Sequence, residues 1–243
     1  MRHLRDAWRV LVPAAGDPHG PLPPLLVLLT LVTGLVDAFS YLELGHVLVA
    51  NMTGNVVFLG FAVAGAPGFR WWASLLAIGT FLLGALAGGR IAVAVGRHRG
   101  RHLLWATLVE GVLVAVALVV ALAARAPYST TAIVVFVAVL GVALGIQNAT
   151  ARALAVPDLT TTVLTLTITG IASDSRAGGG ADSRLGRRLV PIAVMLLGGL
   201  IGAALTVRGH GTSDLAVATA ALAVVVVGAG AAARSTGAWV TKP

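Results

Sequence analysis

Eight apolar stretches follow one another along this 243-residue chain, at about 22–42, 47–66, 72–96, 103–124, 131–151, 159–173, 189–207 and 215–233. A helix needs about 20 residues, at 1.5 Å each, to cross the hydrocarbon core of a bilayer, so most of these runs qualify as spans on length. Composition agrees. The chain is 58% hydrophobic and 11% charged, whereas a soluble domain carries roughly 25% charged residues. With 17 basic and 9 acidic side chains it cannot cover a water-facing surface of this size. A soluble fold is excluded, and so is disorder, which needs the opposite composition. The fold class is all-α, a polytopic helical membrane protein.

The connections carry the remaining organisation. Trp8, Tyr41, Trp71, Trp72, Trp105, Tyr128 and Trp239 fall at the ends of apolar runs, where interfacial aromatic side chains belong. Residues 1–21 hold Arg, Asp and Pro and read as a cytoplasmic N-terminal segment. No small-residue cleavage site follows, so the first run is expected to remain as a span. Residues 174–188, with Gly178, Gly179 and Gly180, read as a flexible cytoplasmic linker, and 234–243 as a tail. The net charge of +8 comes mostly from arginines between apolar runs, such as Arg97, Arg99 and Arg101. That is the pattern of cytoplasmic membrane flanks, not of a nucleic-acid surface.

Two stretches are unusual. Segment 47–66 opens with Asn51-Met52-Thr53-Gly54-Asn55, and 159–173 is rich in threonine. Lipid tolerates broken backbone only where protein or a water-filled cavity surrounds it, so both are expected to be broken, half-depth segments. The two also occupy matching places in an internal repeat. Gly34-Leu35-Val36-Asp37-Ala38 pairs with Gly145-Ile146-Gln147-Asn148-Ala149. Asn51-Met52-Thr53-Gly54-Asn55-Val56 pairs with Asp158-Leu159-Thr160-Thr161-Thr162-Val163, and the stretch from Leu83 to Gly89 with that from Leu197 to Ala203. The order is kept at offsets of 111, 107 and 114 residues. The expected repeats are 22–124 and 131–233. Eight crossings would leave 11 basic residues inside and 5 outside, whereas six crossings leave 13 inside and only Arg70, Arg125 and Arg208 outside. Six fits the positive-inside rule better, and three crossings per repeat make the halves inverted. Eight crossings, with parallel halves, is the alternative.

The strings Thr33-Gly34-Leu35-Val36-Asp37-Ala38-Phe39-Ser40-Tyr41, Ala50-Asn51-Met52-Thr53-Gly54-Asn55, Gly145-Ile146-Gln147-Asn148-Ala149 and Val156-Pro157-Asp158-Leu159-Thr160-Thr161-Thr162-Val163 resemble those of the YoaK-type bacterial membrane proteins. The resemblance runs from about residue 20 to 235. It implies a polytopic helical fold in the bacterial cytoplasmic membrane and no particular substrate or reaction.

Polar groups within apolar segments are the best pointers to function, because a central aspartate costs roughly 2.5–3.5 kcal/mol on insertion scales. Asp37 is a candidate ion or proton site, or else an interfacial carboxylate bonded to Tyr41 or Ser40. Asn51, Thr53 and Asn55 are candidate substrate contacts, or they hold the kink in the broken segment. Gln147 and Asn148 stand at the place matching Asp37 and serve either a solute or helix contact. Thr160 and Thr162 join the list, with Asp158 as a candidate ligand or helix N-cap. Glu110 is a proton-site candidate unless an arginine such as Arg90 pairs with it. Gly84 with Gly88, and Gly198 with Gly202, read as small-residue helix contacts. The chain has no cysteine, His46 beside Glu43 is not a metal site, and no phosphate-binding loop, zinc motif or serine-nucleophile motif occurs. No enzyme activity, metal or cofactor is expected. The partners expected are the lipid bilayer and a small solute, with no nucleic acid; homo-oligomerisation is compatible with the sequence. The preferred expectation is a secondary transporter or permease with a mid-membrane polar site between two repeats. A passive channel and a non-transporting scaffold are the alternatives.

Overall fold

A computed structural model describes residues 2–124, 126–180 and 183–241. Among them the chain is helical and without strands: α1 (Arg2–Leu11), α2 (Leu22–Glu43), α3 (Met52–Val63), α4 (Trp71–Ala94), α5 (Arg99–Ala123), α6 (Thr130–Leu154), α7 (Thr165–Ser173), α8 (Leu185–Val207) and α9 (Gly211–Ala233). Six of these, α2, α4, α5, α6, α8 and α9, are long and apolar enough to cross a membrane. At 1.5 Å per residue, α3 and α7 are about 18 and 14 Å long, short of the ~30 Å core. The chain is a polytopic helical membrane protein with six long spans and two half-length helices, and the eight-span alternative does not fit these lengths.

The boundaries follow from local chemistry. Pro23 and Pro24 occupy the first turn of α2, where a missing N–H costs nothing. Ser129 caps α6 by accepting from the amide of Ala132 at 3.2 Å. The same helix ends at Ala155 in the left-handed region, two residues before Pro157. The segment 159–173 is not one element. Its first six residues are irregular, and only α7 is helical.

α2 and α6 are the inner helices, each burying more than half of its apolar window. Leu26, Leu29, Leu35, Phe39, Phe136, Leu140 and Leu144 are fully enclosed. The outer helices turn leucines outward: Leu82, Leu83 and Leu86 on α4, and Leu196, Leu197 and Leu200 on α8. These are lipid-facing positions, and the two sets are 114 residues apart. The helix contacts repeat as well. α2 packs chiefly on α8, α6 packs chiefly on α4, and α5 lies along α9. A Cβ on Gly34 would collide with the carbonyl of Met195 and the Cα of Gly198. One on Gly145 would collide with the carbonyl of Phe81 and the Cα of Gly84. Gly88 and Gly202 sit one turn further along the same two crossings, against Ile146 and Leu35. All four glycines expected at helix contacts are at helix contacts, where dispersion and close backbone approach hold a membrane bundle together.

Candidate functional site

The two half-length helices begin beside one cavity of about 370 Å³. Its wall includes Asn51 and Thr53 at the start of α3, Thr165 at the start of α7, and Thr162 just before α7. Asn148 of α6 and Phe81 of α4 complete the polar and aromatic part of the lining. No ionisable side chain lines it. The cavity offers hydroxyls and amides, donors and acceptors for a polar solute, with no fixed charge to bind an ion.

The connections that lead into α3 and α7 have unusual backbones. Among the described residues, five non-glycine residues adopt positive φ in the left-handed region. Four of them, His46, Ala155, Asp158 and Thr161, lie in these two connections. Such conformations persist only where surrounding contacts over-determine them, and they cluster at functional sites. The contacts are those of the predicted polar residues. Oδ1 of Asp37 accepts from the backbone amides of Val49 and Ala50 at 3.1 and 3.0 Å. Asn55 clasps Leu48, its Oδ1 accepting from the Leu48 amide at 3.0 Å while its Nδ2 donates to the Leu48 carbonyl. Asn51 caps α3 by accepting from the amide of Gly54 at 3.4 Å. Across the cavity, Gln147 Nε2 donates to Thr33 and Thr161 at 2.8 and 3.0 Å. Asn148 Nδ2 donates to Thr162.

The structure therefore divides the predicted set. Asn51, Thr53, Asn148 and Thr162 share the cavity. Asp37 does not reach its lining; its carboxylate is spent on loop amides, and neither Tyr41 nor Ser40 donates to it. Asn55 and Gln147 are buried behind the wall as loop and helix clasps. Thr160 is not in the cavity lining. It donates to the Val163 carbonyl at 2.5 Å and lines an adjoining, mostly apolar cleft with Arg152 and Leu166, which shares Asn148 and Val163 with the cavity. Asp158 caps no helix. α7 starts seven residues later, with Leu164 at its N-cap. Asp158 instead receives Arg188 Nε at 3.0 Å and Arg187 Nε at 3.5 Å. Arg188 also donates to Asp174 Oδ2 at 2.6 Å and to the Gly170 carbonyl, so one guanidinium ties both ends of the second broken segment to α8. That hydrogen bond, with a second from Ser173, holds the Asp174 carboxyl below the usual carboxylate range.

Glu110 is fully buried in α5, and neither carboxylate oxygen finds a hydrogen-bond partner among the described residues. Arg90, its considered partner, is exposed on α4. Asp214, in the first turn of α9, is just as buried, and its carboxylate oxygens likewise lack partners there. It stands one residue before the last apolar stretch and so reads as loop in the sequence. Only the structure, by starting α9 at Gly211 and setting the carboxylate close to Gly202 of α8, distinguishes it from a loop acid. His46 packs edge-to-face with Tyr41 and at a tilt against Phe69, and among the described residues no group of three metal-ligating side chains forms.

The sequence profile of a family described as a protein of unknown function (DUF1275) matches residues 25–228. The chain belongs to this family. A relative is the UPF0700 transmembrane protein YoaK of Bacillus subtilis (strain 168), 32% identical over 152 residues. The match covers 62% of this chain and 65% of that protein, so the aligned part spans slightly less than two thirds of the relative. No solved structure matches the chain. Family membership, the relative's name and the six apolar helices agree on an integral, multi-pass membrane protein.

Proposed function

We propose that the chain is a permease for small polar solutes, with the cavity between the tips of α3 and α7 as its solute site. The observation that carries this reading is the cavity itself. Two half-length helices from opposite halves of the sequence start beside a space of about 370 Å³ lined by Asn51, Thr53, Asn148 and Thr162. Broken helices that meet near mid-membrane between repeats are how many secondary transporters build substrate sites. The repeated contacts of Gly34 and Gly145 support halves related by an in-plane axis, with three long spans each. The uncharged wall favours uncharged solutes.

In this reading the protein lies in the bacterial inner membrane with both termini, Arg97–Arg101 and residues 174–188 in the cytoplasm, an arrangement supported by the excess of basic residues on those connections. The cysteine-free chain suits impermeant thiol labelling. Arg97→Cys and Arg176→Cys should label from one face and Arg208→Cys from the other. Labelling of 97 and 176 from opposite faces refutes the inverted arrangement.

A second reading adds proton coupling, and the observation that favours it is Glu110, buried in a span with no partner among the described residues. One experiment tests both. Proteoliposomes are assayed for uptake of a panel of small uncharged solutes, with and without a pH gradient. Wild-type flux that exceeds empty liposomes, and is lost in Thr53→Trp, supports the permease. Flux driven by the gradient and uncoupled in Glu110→Gln supports coupling. Unsaturable flux indifferent to the gradient indicates a passive channel, and no flux above empty liposomes indicates a scaffold.

A further inference from the structure

We propose that the cleft between the end of α4, the start of α5 and the end of α6 binds the phosphate group of an anionic phospholipid. The cleft has a volume of about 320 Å³ and is lined by Arg97, His98, Arg99, His102, Ala92 and Leu154, among others, with no carboxylate in the lining. α4 and α5 both pack on α6 and only slightly on each other, which leaves the opening. Basic pockets between spans are established headgroup sites.

The donors are set by local structure. His98 caps α5, its Nδ1 accepting from the Arg101 amide at 3.2 Å. That leaves the proton on Nε2, which donates to the Ser235 carbonyl at 3.3 Å. Both ring nitrogens of His98 are thus engaged within the protein, and its ring shapes the wall. Nε2 of His102 lies 3.4 Å from Thr150 Oγ1 and lines the floor. The charge comes from two arginines. Arg97 is exposed and forms no ion pair among the described residues. Arg99 is only 5% exposed. Its terminal nitrogens donate to the carbonyls of Pro18, Trp239 and Leu154, at 3.3, 3.3 and 2.7 Å. Its Nε–H is buried and has no acceptor there. A buried donor left without an acceptor is destabilising, and Arg99 belongs to the lining of the cleft. The apolar faces beside the cleft fit acyl chains: Val93 and Leu86 of α4 are 83% and 52% exposed.

A second cleft on the same end of the bundle makes the contrast. It holds Arg9, Arg184 and Arg187, but Asp6 and Asp17 line it as well, so its charge is largely compensated internally. Of these two clefts, the one at α5 has basic side chains in its lining and no carboxylate.

The test titrates the detergent-purified full chain with short-chain phosphatidylglycerol, with phosphatidylcholine of the same chain length, and with inorganic phosphate. Arg97→Gln is compared with Arg208→Gln, an exposed arginine outside the cleft, and thermal melting confirms that both variants fold. Phosphatidylglycerol should bind in preference to phosphatidylcholine. Its affinity should fall about five-fold in Arg97→Gln, the loss expected for one arginine, and hold in Arg208→Gln. The same fall seen with inorganic phosphate, and no preference for the lipid over that ion, overturns the lipid assignment in favour of a free anion. Equal binding of both lipids, or equal losses in the two variants, overturns the site altogether.

Discussion

The connection 44–51 with α3 and the connection 155–164 with α7 occupy matching places in the two halves and border the same cavity, yet they are held by different chemistry. In the first half the anchor is a carboxylate on α2. Asp37 accepts two loop amides, one of them from Ala50. At the offset of 107 that pairs the two loops, the residue matching Ala50 is Pro157, which has no N–H to donate. A carboxylate on α6 would lack that donor, and Asn148 stands there instead, bonded to a side-chain hydroxyl. The second half gains its hold from Arg188, which bridges Asp158 and Asp174. The position matching Arg188 at the offset of 114 is Ser74. The first half adds an aromatic cluster of Tyr41, His46, Phe58, Phe61 and Phe69, and the second has none there. A shared backbone plan thus tolerates different side-chain solutions, provided each loop's donors and acceptors are met.

The largest effect should come from the ionic clamp. In Arg188→Met the Asp158 carboxylate, whose side chain is 11% exposed, is left without its closest cation. Breaking such a pair by removing one partner costs about 3 kcal/mol. Denaturation in detergent should show that loss, and a change under ~1 kcal/mol would mean that the clamp is ornamental. Asp37→Ala should cost somewhat less, about 2 kcal/mol, because two backbone donors lose their acceptor. Asp37→Asn, which keeps Oδ1, should lose under half of that. An equal loss in both would show that charge, not hydrogen bonding, matters at Asp37.

The six spans, the presence of two broken segments and the four packing glycines were legible in the sequence because each rests on local signals: length, hydropathy and small-residue spacing. The bounds of the broken segments were not, since α3 covers only Met52–Val63 and α7 only Thr165–Ser173. Asn51, Thr53, Asn148 and Thr162 were legible as cavity residues because polarity recurs at matching places. The role of Asp37 was not, since its partners are main-chain amides that any residues at 49 and 50, except proline, would supply. Nor was that of Asp158, whose cation lies 30 residues away on α8. Asp214 escaped because a first-turn acid and a loop acid look alike before the helix start is known.

A smaller effect tests the proline argument. Installing the first half's anchor in the second, Asn148→Asp with Pro157→Ala, should show favourable coupling of about 0.5–1.5 kcal/mol in a double-mutant cycle. Additive single effects would sever the link between Pro157 and Asn148. The smallest effect is in pH. The folded-state pKa of Asp174 is lowered by Arg188. Its contribution is therefore present above the ordinary carboxylate value of 3.8 and is lost as pH falls through the lower folded value. Asp174→Asn should flatten the acid limb of the stability profile below about pH 4, and an unchanged limb would assign it to other carboxylates.

The central claim is that the tips of the two half-length helices face each other across one water-filled space. Because the chain has no cysteine, Thr53→Cys combined with Thr165→Cys tests it without background. Both positions are exposed in the cavity wall. In membranes, a hydrophilic thiol reagent should modify each single variant, and a bifunctional reagent with a reach of ~10 Å, about the span of a cavity large enough for a small ligand, should cross-link the pair within one chain. Single variants that react while the pair never cross-links would place the two tips in separate environments and contradict the shared site.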